Sequence, residues 1–135
     1  MKPKYALIAF YTDDNKILIQ NRKSIAKNGE EWGFFGGSIE AGETDLQAVI
    51  RETKEELGID LDEKELIFLG MVKTIHFDVY SSIFISKLNT PLDKINVLEG
   101  DGCGLFSEKE CSKLKLSSGD LFRTKLVYNY LCLRK

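Results

Sequence analysis

The apolar positions of residues 44–58 repeat at the spacing of a helix. The residues that share one narrow stripe at about 100° per residue are Leu46, Val49, Ile50, Thr53 and Leu57. Thr44, with Gln47 three residues later, forms a capping-box pattern, and Gly58 suits the position just after a helix. The pattern predicts a helix between Thr44 and Gly58 that packs one face on a core.

Most of the other apolar runs are short, as strands are. The segments with this character are 5–11, 16–21, 32–35, 66–74, 77–86, 95–98 and 105–106. A turn at Asp13, Asp14 and Asn15 joins the first two, which predicts a hairpin. More apolar and more polar side chains alternate along the run 77–86, so we expect a half-buried strand there. His76, the single histidine, lies in the turn before this strand and is interpreted as a structural or exposed residue.

Two helices are expected near the end of the chain. Ser107 with Glu110 repeats the capping-box pattern and opens a short helix. Ser118 or Asp120 caps a longer helix that runs to about residue 133. The apolar stripe of this helix that is expected to pack on the sheet consists of Leu121, Phe122, Leu126, Tyr130 and Leu133. Strand hairpins around one central helix, followed by these helices, predict a mixed α/β (α+β) sandwich.

Composition is that of an ordinary globular protein. The 135 residues suffice for one domain, expected to span 1–135, and 43% of them are apolar and 30% charged. A net charge of −2 gives no general attraction to nucleic acid or to an anionic membrane, and no apolar span reaches transmembrane length. Cys103, Cys111 and Cys132 are odd in number and lack the spacing of a metal site. Buried free thiols in a reducing cytoplasm are therefore expected.

Three glutamates on the predicted central helix carry candidate chemistry. Glu52, Glu55 and Glu56 project together, away from the apolar stripe, and Glu52 repels Glu56 because the two are four residues apart. Lys54 lies on another side and Arg51 is expected to reach only Glu55, so the cluster lacks an obvious cation. A divalent metal would supply one, because Mg²⁺ and Mn²⁺ prefer hard carboxylate oxygens. A solvated acidic face is the alternative.

A fixed spacing of glycine, glutamate and arginine surrounds these glutamates. Its positions are Gly37, Glu43, Arg51, Glu52, Glu55, Glu56 and Gly58, followed by an apolar residue. Seven such positions match by chance less often than about one time in ten million, at background frequencies of about 5–7% each. The spacing resembles the signature of the Nudix hydrolases, which include the MutT-like enzymes. The sequence departs from the family at Thr53, where an aliphatic residue is preferred, and at Phe35, where many members have Pro.

This resemblance implies the Nudix fold, a mixed sheet between helices, and a metal site of known type. The carbonyl group of the residue that matches Gly37 is commonly a metal ligand in the family. Glu52, Glu55 and Glu56 would complete the site around Mg²⁺ or Mn²⁺. Glu55, Glu56 or an acid from a loop could accept the proton of the attacking water.

Other residues are assigned supporting roles by the resemblance. Arg51 and Glu43 would orient the cluster through a mutual ion pair. Arg22, at the end of the second strand, would contact a phosphate group, since its planar fork suits phosphate oxygens. Family members often place another carboxylate in the loop at 99–102. Glu99 and Asp101 both qualify, with Glu99 favoured by analogy with the family, and the sequence leaves the choice open.

The resemblance also implies the reaction, the hydrolysis of a nucleoside diphosphate linked to another group X. The products would be a nucleoside monophosphate and phosphorylated X. A nucleoside triphosphate is favoured as substrate, while ADP-ribose, nucleotide sugars and dinucleoside polyphosphates remain open. A nucleotide-binding sensor without turnover is the alternative function. The expected partner is a small nucleotide, with neither nucleic acid nor membrane, and the strand edges permit a homodimer. Trp32, Phe34 and Phe35 are interpreted as core residues, with stacking on a nucleobase as the alternative.

Overall fold

The protein is built on one mixed sheet of seven strands. The computed structural model describes residues 2–27, 29–74 and 78–134. The strands are β1 (Tyr5–Tyr11), β2 (Ile17–Asn21), β3 (Trp32–Gly33), β4 (Phe35–Ser38), β5 (Ile67–Lys73), β6 (Tyr80–Lys87) and β7 (Cys103–Phe106). They run in the order β3-β2-β1-β6-β5, while β4 pairs with β1 and β7 pairs with β2. Strands β1 and β6 are parallel and the other pairs are antiparallel.

The α-helices in the described part of the chain are α1 (Asp45–Leu57), α2 (Glu108–Cys111) and α3 (Ser118–Leu133), and short 3-10 helices span Glu63–Glu65 and Leu92–Lys94. The predicted capping box and the glycine stop of α1 are both present, with Gly58 in the left-handed region at φ +67°. The capping box of α2 is present as well. The cap of α3 was predicted one residue or more too late. Ser117 is the N-cap, because its hydroxyl accepts the Asp120 N–H at 3.1 Å.

Two apolar cores lie on opposite faces of the sheet. The core under α1 consists of Ala6, Ile8, Phe10, Leu18, Phe35, Ala48, Val49, Leu57 and Phe84. The core under α2 and α3 consists of Ala9, Ile17, Ile19, Phe34, Ile83, Ile85, Cys111, Val127, Tyr128 and Leu131. Alternate residues of β1 and β2 therefore enter different cores, as the pleat of a strand requires. This arrangement, with helices on both faces of a mixed sheet, confirms the predicted α+β sandwich.

The apolar stripe predicted for α3 is wrong for most of its members, although Tyr130 packs against the core under α2 and α3. Phe122 is 55% exposed and Leu133 is 82% exposed. The residues that face the sheet are instead Arg123, Thr124, Val127, Tyr128 and Leu131. Apolar residues occur all around this helix, so periodicity alone did not identify the buried face. The Tyr128 hydroxyl donates to the Phe106 carbonyl at 2.7 Å, which helps to fix that face.

Three strand predictions also need correction. Strand β6 is buried on both faces rather than one, because Phe84 lies in the core under α1 while Ile83 and Ile85 lie in the core under α2 and α3. Residues 95–98 form no strand but cross the end of α1, where the Leu98 N–H donates to the Glu56 carbonyl at 2.7 Å. The run 32–35, expected as one strand, is divided between β3 and β4, and β4 continues through Gly36 and Gly37 to Ser38.

The remaining expectations concern single residues and membrane spans. His76 lies outside the described residues. The three cysteines are free, but Cys132 is exposed and Cys103 only partly buried, so the expectation of buried thiols holds for Cys111 alone. Among residues 2–27, 29–74 and 78–134, no helix is both long and apolar enough to cross a membrane.

Candidate active site

The glutamates of α1 lie directly against β4. The Glu56 side chain is buried, and its Oε1 accepts the Gly36 N–H at 2.8 Å. The Glu52 carboxylate covers Gly37 so closely that a Cβ at that position would lie 2.5 Å from Glu52 Oε1. A side chain at position 37 would therefore displace the Glu52 carboxylate from the strand. The glycine of the signature lets this carboxylate lie directly on the β4 backbone.

Arg51 connects α1 to the loop before it. Its Nε and Nη2 donate to the two carboxylate oxygens of Glu43 at 2.7 and 2.9 Å, and Nη2 also donates to the Ser38 carbonyl at 3.0 Å. Nη1 lies 3.0 Å from Glu52 and 3.4 Å from Glu55. The expectation that Arg51 reaches only Glu55 is therefore wrong. The arginine side chain is long enough to lie back across its own helix, and it forms the predicted ion pair with Glu43 as well.

The pKa values of the acidic groups are shifted in opposite directions. Hydrogen bonds from Arg51 hold the pKa of Glu43 at about 2. Burial raises the pKa of Glu56 to about 8, and the charges of Glu52 and Glu99 act in the same direction. Burial also raises the pKa of Glu52. The inner part of the cluster therefore holds more negative charge than its surroundings stabilise, and a cation placed there would be favourable.

A cleft of about 320 Å³ opens beside these glutamates. It is lined by Tyr5, Leu7, Arg22, Glu30, Gly33, Phe34, Gly36, Gly37, Ser117 and Asp120. Burial outweighs the charge of Arg22, which acts to lower the pKa of Glu56 and is therefore within electrostatic range of that carboxylate. Trp32 packs edge-on against Phe106, with ring centres 5.1 Å apart, and Phe35 is fully buried. Of the three aromatic residues, only Phe34 lines the cleft.

The acidic loop places its two carboxylates differently. The Asp101 carboxylate accepts the backbone N–H and the hydroxyl of Ser24, both at 2.7 Å. Asp101 thus holds the loop to the chain that follows β2. The charge of Glu99, in contrast, raises the pKa values of Glu52 and Glu56. The Glu99 carboxylate is therefore within electrostatic range of the cluster, whereas the Asp101 carboxylate is bonded to Ser24.

Residues 1–96 match the family model described as the NUDIX domain. The chain belongs to the NUDIX family. The solved structures that resemble it include a MutT structure from work on Aliivibrio salmonicida and Vibrio cholerae. That similarity has a TM-score of 0.77 over 96% of this chain and 99% of the other, at 21% identity. At that identity the structural match supports the Nudix fold alone.

Curated relatives share higher identity over shorter stretches. The dihydroneopterin triphosphate diphosphatase of Escherichia coli K12 is 32% identical over 83 residues, which are 61% of this chain and 53% of the relative. The 8-oxo-dGTP diphosphatase of the same organism is 47% identical over 47 residues, which are 35% of this chain and 36% of the relative. This Nudix chain thus spans about half of the length of the first relative and about a third of the length of the second.

The donor set of the Nudix helix fits a hard divalent cation. Glu52, Glu55, Glu56 and the Gly37 carbonyl offer oxygen only, as Mg²⁺ and Mn²⁺ prefer. Within the described part of the chain, however, no three acidic, cysteine or histidine side chains are placed to ligate one ion. Arg51 holds Glu52, and the Gly36 N–H holds Glu56. Ligation of one ion by all three glutamates therefore requires side-chain rotation, for which Glu55, half exposed, has room.

Sequence reasoning missed two polar groups beside the Nudix site. Gln20 is fully buried, and the pair of Asp120 and Arg123, joined at 2.8 Å, forms part of the far side of the cleft. The signal for Gln20 was a polar residue at an inward position of β2. No such signal marked Asp120, because a charged pair near the start of a helix is common on exposed surfaces.

Proposed function

We propose that this protein is a metal-dependent pyrophosphohydrolase that cleaves a nucleoside diphosphate linked to a group X. The products are a nucleoside monophosphate and phosphorylated X. The observation that supports this most directly is that Glu52 and Glu56 lie against Gly37 and Gly36, two residues that line a cleft together with Arg22. Anionic phosphates between Arg22 and a cation at the glutamates would be stabilised from both sides.

A nucleoside triphosphate, with phosphate as X, is the substrate that we favour. Both curated relatives described above are named for triphosphate substrates. The cleft is lined by Phe34, Leu7 and Tyr5, which offer apolar surface for the base, and by Asp120 and Ser117, which offer polar groups. Small-molecule sites commonly combine apolar walls with a few such polar groups.

The chemistry assigned to the chain is positioning and proton transfer. A bound Mg²⁺ or Mn²⁺ ion would neutralise phosphate charge and lower the pKa of water. Arg22 donates N–H groups to a phosphate oxygen. Water oxygen attacks phosphorus, the bridging P–O bond breaks, and the proton passes to Glu99, or to Glu55 if the base lies on the helix. Arg51 keeps Glu52 and Glu43 in register while charge builds up on the phosphate.

The direct test is hydrolysis of a panel of nucleotides by the purified protein. With Mg²⁺ present, a nucleoside triphosphate should give the monophosphate and pyrophosphate, and excess EDTA should abolish the reaction. The panel should include ADP-ribose, a nucleotide sugar and a dinucleoside polyphosphate, to identify X. Tight binding of a nucleotide without product from any compound would favour a sensor and contradict the proposal.

Replacement of Arg51 by Lys should impair both catalysis and stability. Lysine cannot reproduce the two bonds to Glu43 together with the bond to the Ser38 carbonyl, because it lacks the planar fork. We expect kcat to fall by about 10–100-fold, as for other groups that orient ligands, with a lower melting temperature. Steady-state kinetics and thermal unfolding measure the two effects. Unchanged kcat would show that Arg51 is only a surface residue of the helix.

A further inference from the structure

Gln20 is a buried polar residue between two parts of the candidate site. It is 0% exposed and lies near the end of β2. Leu18, two residues earlier, belongs to the core under α1, so Gln20 points to the same side. The Gln20 Oε1 atom accepts the Arg22 Nη1–H at 2.9 Å, and Nε2 donates to the Glu99 carbonyl at 3.0 Å. One side chain thus connects the cleft arginine to the acidic loop.

The loop that Gln20 holds is packed tightly on the end of β2. The Asp101 N–H donates to the Asn21 carbonyl, and the Asn21 N–H donates to the Gly102 carbonyl, both at 2.9 Å. Gly100 has φ +84°, and a Cβ there would lie 2.7 Å from the Asn21 carbonyl oxygen. The loop backbone therefore has little room to shift along β2. Gln20 adds the only one of these bonds that comes from a buried side chain.

We propose that Gln20 is a positioning residue that sets Arg22 and Glu99 relative to each other for the reaction proposed above. The Gln20 amide is neutral. It accepts one of the five N–H donors of Arg22 and so orients the guanidinium group without cancelling the charge that would attract phosphate. The Nε2 atom of Gln20 fixes the backbone of Glu99. This bond keeps the Glu99 carboxylate near Glu52 and Glu56 although the three negative charges repel one another. A carboxylate at position 20 would lose both properties.

Gln20→Met tests this assignment, because methionine has a similar volume and makes neither hydrogen bond. Ile19→Met is the matched control. Ile19 is the neighbouring residue of β2 and is equally buried, but it points into the core under α3. We expect Gln20→Met to raise KM and to lower kcat, each by about tenfold, which corresponds to the loss of one buried hydrogen bond. The control should change neither by more than about twofold, whatever it does to the melting temperature.

Two double variants separate positioning from a general loss of stability. In an Arg22→Met background, Gln20→Met should no longer raise KM but should still lower kcat. In a Glu99→Gln background, it should no longer lower kcat. This pattern of non-additivity is expected only if Gln20 acts through those two residues. Full additivity in both backgrounds would overturn the proposal.

Hydrogen exchange tests the loop contact independently of catalysis. In the metal-free protein without nucleotide, the Asp101 amide should exchange about tenfold faster in Gln20→Met than in wild type or Ile19→Met, because the loop opens more often. If exchange changes as expected but no nucleotide is hydrolysed, the proposed function fails while the link between Gln20 and the loop stands. If exchange at Asp101 and the kinetic constants all match those of the control, the assignment of Gln20 is wrong.

Discussion

Glu56→Gln should nearly abolish hydrolysis and, in the metal-free protein, raise the melting temperature. Glutamine keeps the shape of the side chain and can still accept the Gly36 N–H, so the helix should stay in place. It removes the negative charge that a cation would need. Because such an ion contributes several kcal/mol to the transition state, we expect kcat to fall by at least about 10³-fold.

The gain in stability follows from the raised pKa of Glu56. A carboxyl group with a pKa of about 8 in the folded state and a model value of 4.5 binds its proton more tightly in the folded protein. Folding is therefore favoured while Glu56 is protonated, and this contribution is lost as pH rises from about 4.5 to about 8. Above pH 8 the buried charge is present at a cost of up to a few kcal/mol. Glutamine avoids that cost at every pH.

Thermal unfolding in EDTA between pH 5 and pH 9, together with kinetics in Mg²⁺, measures both effects. At pH 9, Glu56→Gln should melt several degrees above wild type, since 1 kcal/mol corresponds to about 2–8 °C. At pH 5 the two proteins should melt alike. Glu63→Gln, at an exposed site, is the matched control and should alter neither property. Wild-type turnover by Glu56→Gln would refute the assignment of Glu56 as a metal ligand.

The central helix could be predicted almost completely, because residues within its first and last turns determine where it starts and ends. The Thr44 and Gln47 pair and the left-handed Gly58 act within a few residues of the chain, and the structure has them as expected. The hairpin of β1 and β2 follows from short-range signals in the same way. Elements defined by their neighbours in space were predicted less well. Strand β6 alternates in sequence yet is buried on both faces, because cores on both sides of the sheet cover it, and this depends on the tertiary arrangement.

In the candidate site, too, contacts within the helix and its signature could be predicted, whereas contacts between distant segments could not. The spacing of Glu52, Glu55 and Glu56 placed them together on the helix, and the ion pair of Arg51 with Glu43 could be proposed from the signature. The contact between Gln20 and Glu99 joins residues 79 positions apart, so nothing local indicates it. The bonds between Asp101 and Ser24 likewise join residues 77 positions apart, so the sequence alone could not distinguish the surroundings of Asp101 from those of Glu99.

Glu99→Gln is expected to have the second large effect on catalysis. If Glu99 accepts the proton of the attacking water, its loss should lower kcat by about 10²–10⁴-fold, the range for a general base. KM should change little, because the amide still leaves the loop bonded to Gln20 through the backbone.

Asp101→Asn is the matched comparison for Glu99→Gln, since each variant removes one negative charge from the same loop. The Asp101 carboxylate is bonded to Ser24 and holds the loop from outside, so an amide there should keep at least one bond and reduce kcat by no more than about tenfold. Equal losses in the two variants would mean that loop position alone matters and that neither carboxylate is the base. If Glu99→Gln keeps full activity, the base lies on α1, and Glu55→Gln should then show the loss. Glu55 is the remaining candidate on that helix, because its carboxylate is half exposed while Glu56 is fixed to β4.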